Sequence, residues 1–126
     1  MKKIIHTDKA PAAIGPYSQG VVCSGNFLYV SGQLPIVPET GEFAGEDIVS
    51  QTHQSLKNIQ AILEQAGMAL ENVVSTTIYL SDIAHFQQMN EVYATYFKEN
   101  CPARAAFQVA ALPKKALVEI QAVACQ

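Results

Sequence analysis

The chemistry of this chain concentrates in its last quarter. Arg104, the sole arginine of the sequence, opens an uncharged run over residues 105–111, and Glu119 is the only charge in residues 117–125. An ionised group in an apolar strand is expensive unless it is paired, hydrogen-bonded or used. A planar guanidinium grips a carboxylate through two parallel hydrogen bonds. A desolvated glutamate can hold or deliver a proton near neutral pH. Together the two suit an anionic substrate whose reaction moves protons. Each also has a plainer reading: an internal ion pair for Arg104, and an exposed edge position for Glu119.

Three further places could line such a site. Tyr17 follows Gly15-Pro16, a rigid turn that would hold its phenol in place for a ligand or simply for packing. Ser31-Gly32 ends an apolar strand, where glycine permits close approach of a ligand to the backbone or an ordinary bulge. Asn90 falls on an apolar helix face between Phe86 and Tyr93, and a buried amide there needs hydrogen-bond partners, structural or otherwise. His6, His53 and His85 show no HExxH or paired-ligand spacing. There is no P-loop, GxGxxG or GxSxG elbow. The sequence implies neither a metal nor a cofactor.

Residues 21–23 and 27–34 read as short strands, with Ser24-Gly25-Asn26 turning the chain between them. Pro38-Glu39-Thr40-Gly41 is a second turn. From about residue 46 to 66, Ile48, Leu56, Ile59, Ile62, Leu63 and Ala66 recur at helical spacing, and Gly67 supplies the stop. Residues 73–80 are β-branched and aromatic, hence a strand. Asp82 is a candidate N-cap for a second helix with Ile83, Phe86, Met89, Asn90, Tyr93, Tyr96 and Phe97 on one face; Pro102 ends it. Two last strands, 105–111 and 117–125, join through Pro113-Lys114-Lys115. By alternation Glu119 shares a face with Leu117, Gln121 and Val123, opposite Val118, Ile120, Ala122 and Ala124. A simple hairpin would not set Arg104 opposite Glu119, so any partnership between them is tertiary or quaternary. The element order gives one α+β domain over residues 1–126, a single mixed β-sheet with both helices packed on one face and the other face in need of cover.

Composition points the same way. Charged residues are 15% of the chain, below the roughly 25% usual in soluble domains, while 49% is hydrophobic. A monomer so poor in charge would expose large apolar patches, which favours a homo-oligomer. Net charge is −3 and the basic residues are scattered, which argues against nucleic acid as the main partner. Cys23, Cys101 and Cys125 are odd in number and lack CxxC spacing, a pattern suited to a reducing compartment. No apolar run follows the N-terminal lysines and no stretch approaches membrane-spanning length. The expectation is a soluble cytoplasmic protein with no membrane partner.

Four blocks, in order along the chain, resemble the RidA family, also called YjgF. They are A-P-A-A-I-G-P-Y-S-Q at residues 10–19, V-S-G-Q-L-P at 30–35, N-E-V-Y at 90–93, and P-A-R-A-A-F-Q-V-A-A-L-P-K-K-A-L-V-E-I at 102–120. The resemblance implies a chorismate-mutase-like fold assembled as a homotrimer, with sites in the clefts between subunits. It implies hydrolytic deamination of reactive enamines and imines such as 2-aminoacrylate, released by pyridoxal-phosphate-dependent dehydratases. The products would be 2-oxo acids (pyruvate, 2-oxobutanoate) and ammonia. In that scheme Arg104 binds the substrate carboxylate and Glu119 positions or activates the hydrolytic water. Tyr17 and Asn90 line the pocket, and backbone around Ser31, Gly32 and Ala106 completes it. Many relatives carry a cysteine where this chain has Ala106, which excludes thiol chemistry there; Cys101 is not a substitute by register. Some family members carry a ribonuclease or translation-inhibitor role. A non-catalytic trimer that binds metabolites is a further alternative.

Overall fold

Alternation decides where the main sheet lies, because two strands bury every second side chain almost completely. The computed structural model describes residues 1–126. Its elements are β1 (Lys2–Ile5), β2 (Gly20–Cys23), β3 (Phe27–Gln33), α1 (Ile48–Gln65), β4 (Val73–Leu80), α2 (Phe86–Tyr96), β5 (Ala103–Gln108) and β6 (Val118–Cys125). In β6, Val118, Ile120, Ala122 and Ala124 are buried, and in β4 Thr76, Ile78 and Leu80 are. All of these but Thr76 meet Leu56, Ile59 and Leu63 of α1 and Met89, Val92 and Tyr93 of α2 in one apolar cluster. Burying a leucine or isoleucine so fully contributes roughly 1.5–3 kcal/mol. The architecture is α+β, two helices on a mixed sheet.

Strand order in that sheet is β3-β6-β4-β5, with β4 and β5 parallel and the other pairs antiparallel. The parallel pair is bridged by α2, the crossover such a pairing requires. β4 therefore lies between β5 and β6, and Pro113–Lys115 is a 3₁₀ turn in a crossover rather than a hairpin loop. Arg104 pairs across to Thr76 and Glu119 to Tyr79, so neither faces the other in a ladder.

α1 starts where Asp47 accepts a hydrogen bond from the Ser50 N–H at 2.9 Å. It stops at Gly67, whose φ of 75° lets the Met68 N–H return to the Leu63 carbonyl at 2.8 Å. Both ends agree with the sequence reading. Asp82 caps a short 3₁₀ turn (Ile83–His85) through the Ala84 N–H, and α2 begins only at Phe86. Ile83 is accordingly 50% exposed and leaves the expected helix face.

Two strands differ from expectation. β1 was hidden by its lysines. Lys2 buries its stem and donates to the carbonyls of Glu71 and Val73 at 3.0 and 2.9 Å, so a charged residue occupies an inward position. β1 pairs with β2 in a separate two-stranded ladder. β5 spans residues 103–108 rather than 105–111: the Gln108 side chain turns aside to accept from the Ile83 N–H, and the ladder stops there.

The sheet face away from the helices is uncovered within the chain. Tyr29 is 75% exposed and Phe107 44%. No helix is long and apolar enough to cross a membrane.

Candidate functional site

Arg104 enters from β5 on the helix-covered side and meets three aromatic rings. Its guanidinium carbon lies 4.8 Å from the ring centre of Tyr93, 5.5 Å from that of Tyr17 and 5.8 Å from that of Phe86. Cation–π attraction at such distances is worth roughly 0.5–2 kcal/mol, more as water leaves. Nη1 donates to Asn90 Oδ1 at 2.6 Å. Phe86, Asn90 and Tyr93 reach the arginine together because positions i, i+4 and i+7 form one stripe of α2.

No carboxylate of the chain pairs with Arg104. The one ion pair in the structure joins His6 to Asp8 at 3.9 Å, on the exposed N-terminal segment. Burial, opposed by the Tyr93 and Tyr17 phenols, pulls the Arg104 pKa below its ordinary value. A guanidinium does not lose its proton in a protein, so this depression expresses a cation poorly solvated by its surroundings. The internal ion pair, the plain reading of this residue, is absent.

Tyr17 is brought to the arginine by its neighbour. Ser18 donates its hydroxyl to the Cys101 carbonyl and its N–H to the Pro102 carbonyl, which ties the N-terminal loop to the entrance of β5. The Tyr17 N–H closes the Gly15-Pro16 turn on the Gly15 carbonyl at 2.8 Å. Beneath the arginine, Tyr93 hydrogen-bonds Thr76 through their hydroxyls at 2.8 Å. Burial pushes the Tyr93 phenol up to about 12, against the opposing Thr76 bond and the Arg104 charge. Ala106, two residues on from Arg104, points to the same side, half-buried against the core on an edge strand.

Glu119 belongs to the other face. It is half-buried, beside the bulge at Ser31-Gly32, where β3 carries an extra residue between the pairs Val30–Ala122 and Gln33–Ile120. Gly32 is glycine for space: its φ is not positive, but a β-carbon there would overlap Oε2 of Glu119 and lie 2.8 Å from Cδ. The carboxylate thus lies directly over the Gly32 backbone, with Ser31 exposed alongside.

The seven sequence-derived residues therefore form two groups. Arg104, Asn90, Tyr17 and Ala106 gather on the helix side near the β5 edge. Glu119, Ser31 and Gly32 gather on the open face near the β3 edge. Within one chain the groups stand on opposite faces of the sheet. Sequence reasoning placed Phe86 and Tyr93 on the helix face without linking them to the arginine, and it passed over Thr76 and Ser18. The i, i+4, i+7 stripe was a readable signal for the first two; nothing local marks the others.

The family model described as Endoribonuclease L-PSP matches residues 7–126. The chain belongs to the YjgF/RidA family. A RutC family protein of Pyrococcus horikoshii is 54% identical over 98% of this chain and 98% of its own length. The human 2-iminobutanoate/2-iminopropanoate deaminase is 48% identical over 100% of this chain and 91% of its own. Among solved structures, E. coli TdcF with bound serine matches with a TM-score of 0.77 and 42% identity, over 98% of each chain. The family thus includes proteins named for imine deamination alongside a description as endoribonucleases.

Proposed function

We propose that this protein hydrolyses small 2-imino acids, such as the imine tautomer of 2-aminoacrylate, to the 2-oxo acid and ammonia. It does so as a homotrimer with sites between subunits. The observation that carries the reading is Arg104: a desolvated cation, fixed by Asn90 and three rings, with no carboxylate of its own chain. Such a group is prepared for a carboxylate from outside.

A 2-imino acid places a carboxylate next to an electrophilic C=N carbon. Arg104 binds the carboxylate, with Tyr17 as wall and backbone near Ala106 and Gly32 completing the cradle. Water adds to the imine carbon while Glu119 accepts its proton. Glu119 returns that proton to nitrogen, giving the carbinolamine. It then carries the hydroxyl proton to nitrogen as well, the C–N bond breaks as the C=O bond forms, and ammonia leaves. Water oxygen becomes the keto oxygen, so no other reactant is needed. Orientation and one acid–base group supply roughly 10²–10⁴-fold, enough for an imine that also hydrolyses unaided.

Glu119 and Arg104 occupy opposite faces of one sheet, so a shared site needs a second copy. In a ring of identical subunits the Arg104 surface of one chain meets the Glu119 surface of the next. The uncovered aromatic face beside Glu119 gives such a contact its apolar area.

The test generates 2-aminoacrylate with a serine dehydratase and follows imine decay. Decay accelerated by the wild-type protein and not by Arg104→Ala supports the reading. No acceleration by the trimeric wild type overturns it, and tight 2-oxo acid binding without turnover would then indicate a metabolite-binding protein.

A further inference from the structure

A ring under a guanidinium attracts it without fixing its direction; direction requires the ring itself to be fixed. Tyr93 is fixed more firmly than its role in the core requires. Its side chain is fully buried, packed at a tilt against Phe97 with 4.7 Å between ring centres, and its hydroxyl lies 2.8 Å from Oγ1 of Thr76, itself buried. Thr76 is the cross-strand partner of Arg104 on β4. One β4 residue therefore both flanks the arginine's backbone and anchors the nearest of its three rings. One turn earlier on α2, Asn90 takes Nη1. The two α2 side chains meet different parts of the guanidinium: Asn90 hydrogen-bonds one edge, and the Tyr93 ring lies 4.8 Å from its central carbon.

A buried hydroxyl pair is a poor device for stability alone. An apolar pair of the same shape, phenylalanine over valine, would fill the space without desolvating two hydroxyls, and such replacements are often neutral or stabilising. The phenol stays protonated at physiological pH, so it supplies direction rather than charge. Resting on the reading of Arg104 as carboxylate anchor, we propose that Tyr93, held by Thr76, is a positioning residue that orients the guanidinium for a two-point grip on the substrate carboxylate.

The single arginine makes the test direct. Protein labelled with ¹⁵N-arginine gives one Nε–H resonance, reporting Arg104 without reference to turnover. In the wild type it is expected as one sharp signal displaced by the rings. Tyr93→Phe keeps a ring but frees it from Thr76; the signal should move toward that of free arginine and broaden. KM for the imine should rise about 3- to 10-fold with kcat nearly unchanged, the size of effect one buried hydrogen bond carries. Thr76→Val should reproduce both changes, and Thr76→Ser, which keeps the hydroxyl, should restore both. A folded Tyr93→Phe or Thr76→Val with wild-type signal and wild-type KM overturns the proposal, as would a loss of thermal stability with neither readout moved. Arg104→Ala measured alongside keeps the two ideas apart. If it leaves imine decay unchanged, the anchor reading fails by itself. If it abolishes acceleration while Tyr93→Phe changes nothing, only the positioning role fails.

Discussion

The Arg104 corner and the Glu119 surface belong to one sheet but are built in opposite ways. Arg104 is made by addition: Asn90, three aromatic rings and the Ser18 tie close around a single cation. Glu119 is made by subtraction: a glycine and a bulge clear room for a carboxylate on an uncovered face. In the proposed reaction the first region would bind and orient the substrate, and the second would set a proton acceptor beside open space. The two regions lie on opposite faces of the sheet, so one chain does not bring them together. The difference teaches why the proposed reaction calls for an interface: it needs both groups, and one chain presents them on opposite faces.

The largest expected effect comes from emptying the built corner. Arg104→Ala should lower kcat/KM for the imine by about 10²–10³-fold, the penalty for losing one partner of a desolvated charge pair. Arg104→Lys should recover little, because an ammonium neither stacks as a plane nor grips a carboxylate at two points. Steady-state rates in the dehydratase-coupled assay measure both, and a lysine variant near wild type would reduce the corner to a point charge.

Glu119→Gln should come next, lowering kcat by about 10²-fold with KM little changed, as the loss of a general base does. A rise in KM instead would make Glu119 a binding group and dissolve the contrast between the two regions. Gly32→Ala follows at about tenfold in kcat, since a β-carbon must displace the Glu119 carboxylate and misplacement of a reacting group is costly. Rates for this variant with the Arg104 corner untouched test whether the space at Gly32 serves Glu119.

Much of this division was readable from the sequence, for definite reasons. α1, with Gly67 as its stop, follows from 3.6-residue periodicity and local capping, and the two faces of β6 follow from alternation. Those are local signals. The insertion of β4 between β5 and β6 is non-local, and no turn residue encodes it. β1 escaped notice because Lys2 satisfies its charge on carbonyls about seventy residues away, which makes a lysine behave as an inward strand residue. The aromatic box was half-readable. The α2 stripe of Phe86, Asn90 and Tyr93 is periodic, but the arginine it serves arrives on a separate strand. The hydroxyl pair of Thr76 and Tyr93 became visible only once β4 and α2 were packed.

The smallest expected effect concerns pH. The folded Tyr93 phenol titrates at about 12, above its ordinary value of 10.0, so the folded state holds that proton more tightly than the unfolded chain. Its contribution to stability is complete below about pH 10 and is lost as pH rises toward 12. Urea midpoints should fall across that window, and less steeply in Tyr93→Phe. An equal fall in the variant would assign the effect to other groups.

The central claim, that one site takes Arg104 from one chain and Glu119 from another, is tested most directly by mixing two inactive variants. Arg104→Ala and Glu119→Gln proteins, each trimeric, are unfolded together in equal amounts, refolded, and assayed for imine decay. If each site joins neighbouring subunits, random assembly makes about one site in four intact, and roughly a quarter of wild-type activity should return. If both residues served a site within one chain, no assembly could contain an intact site, and a mixture as inactive as its components would contradict the account.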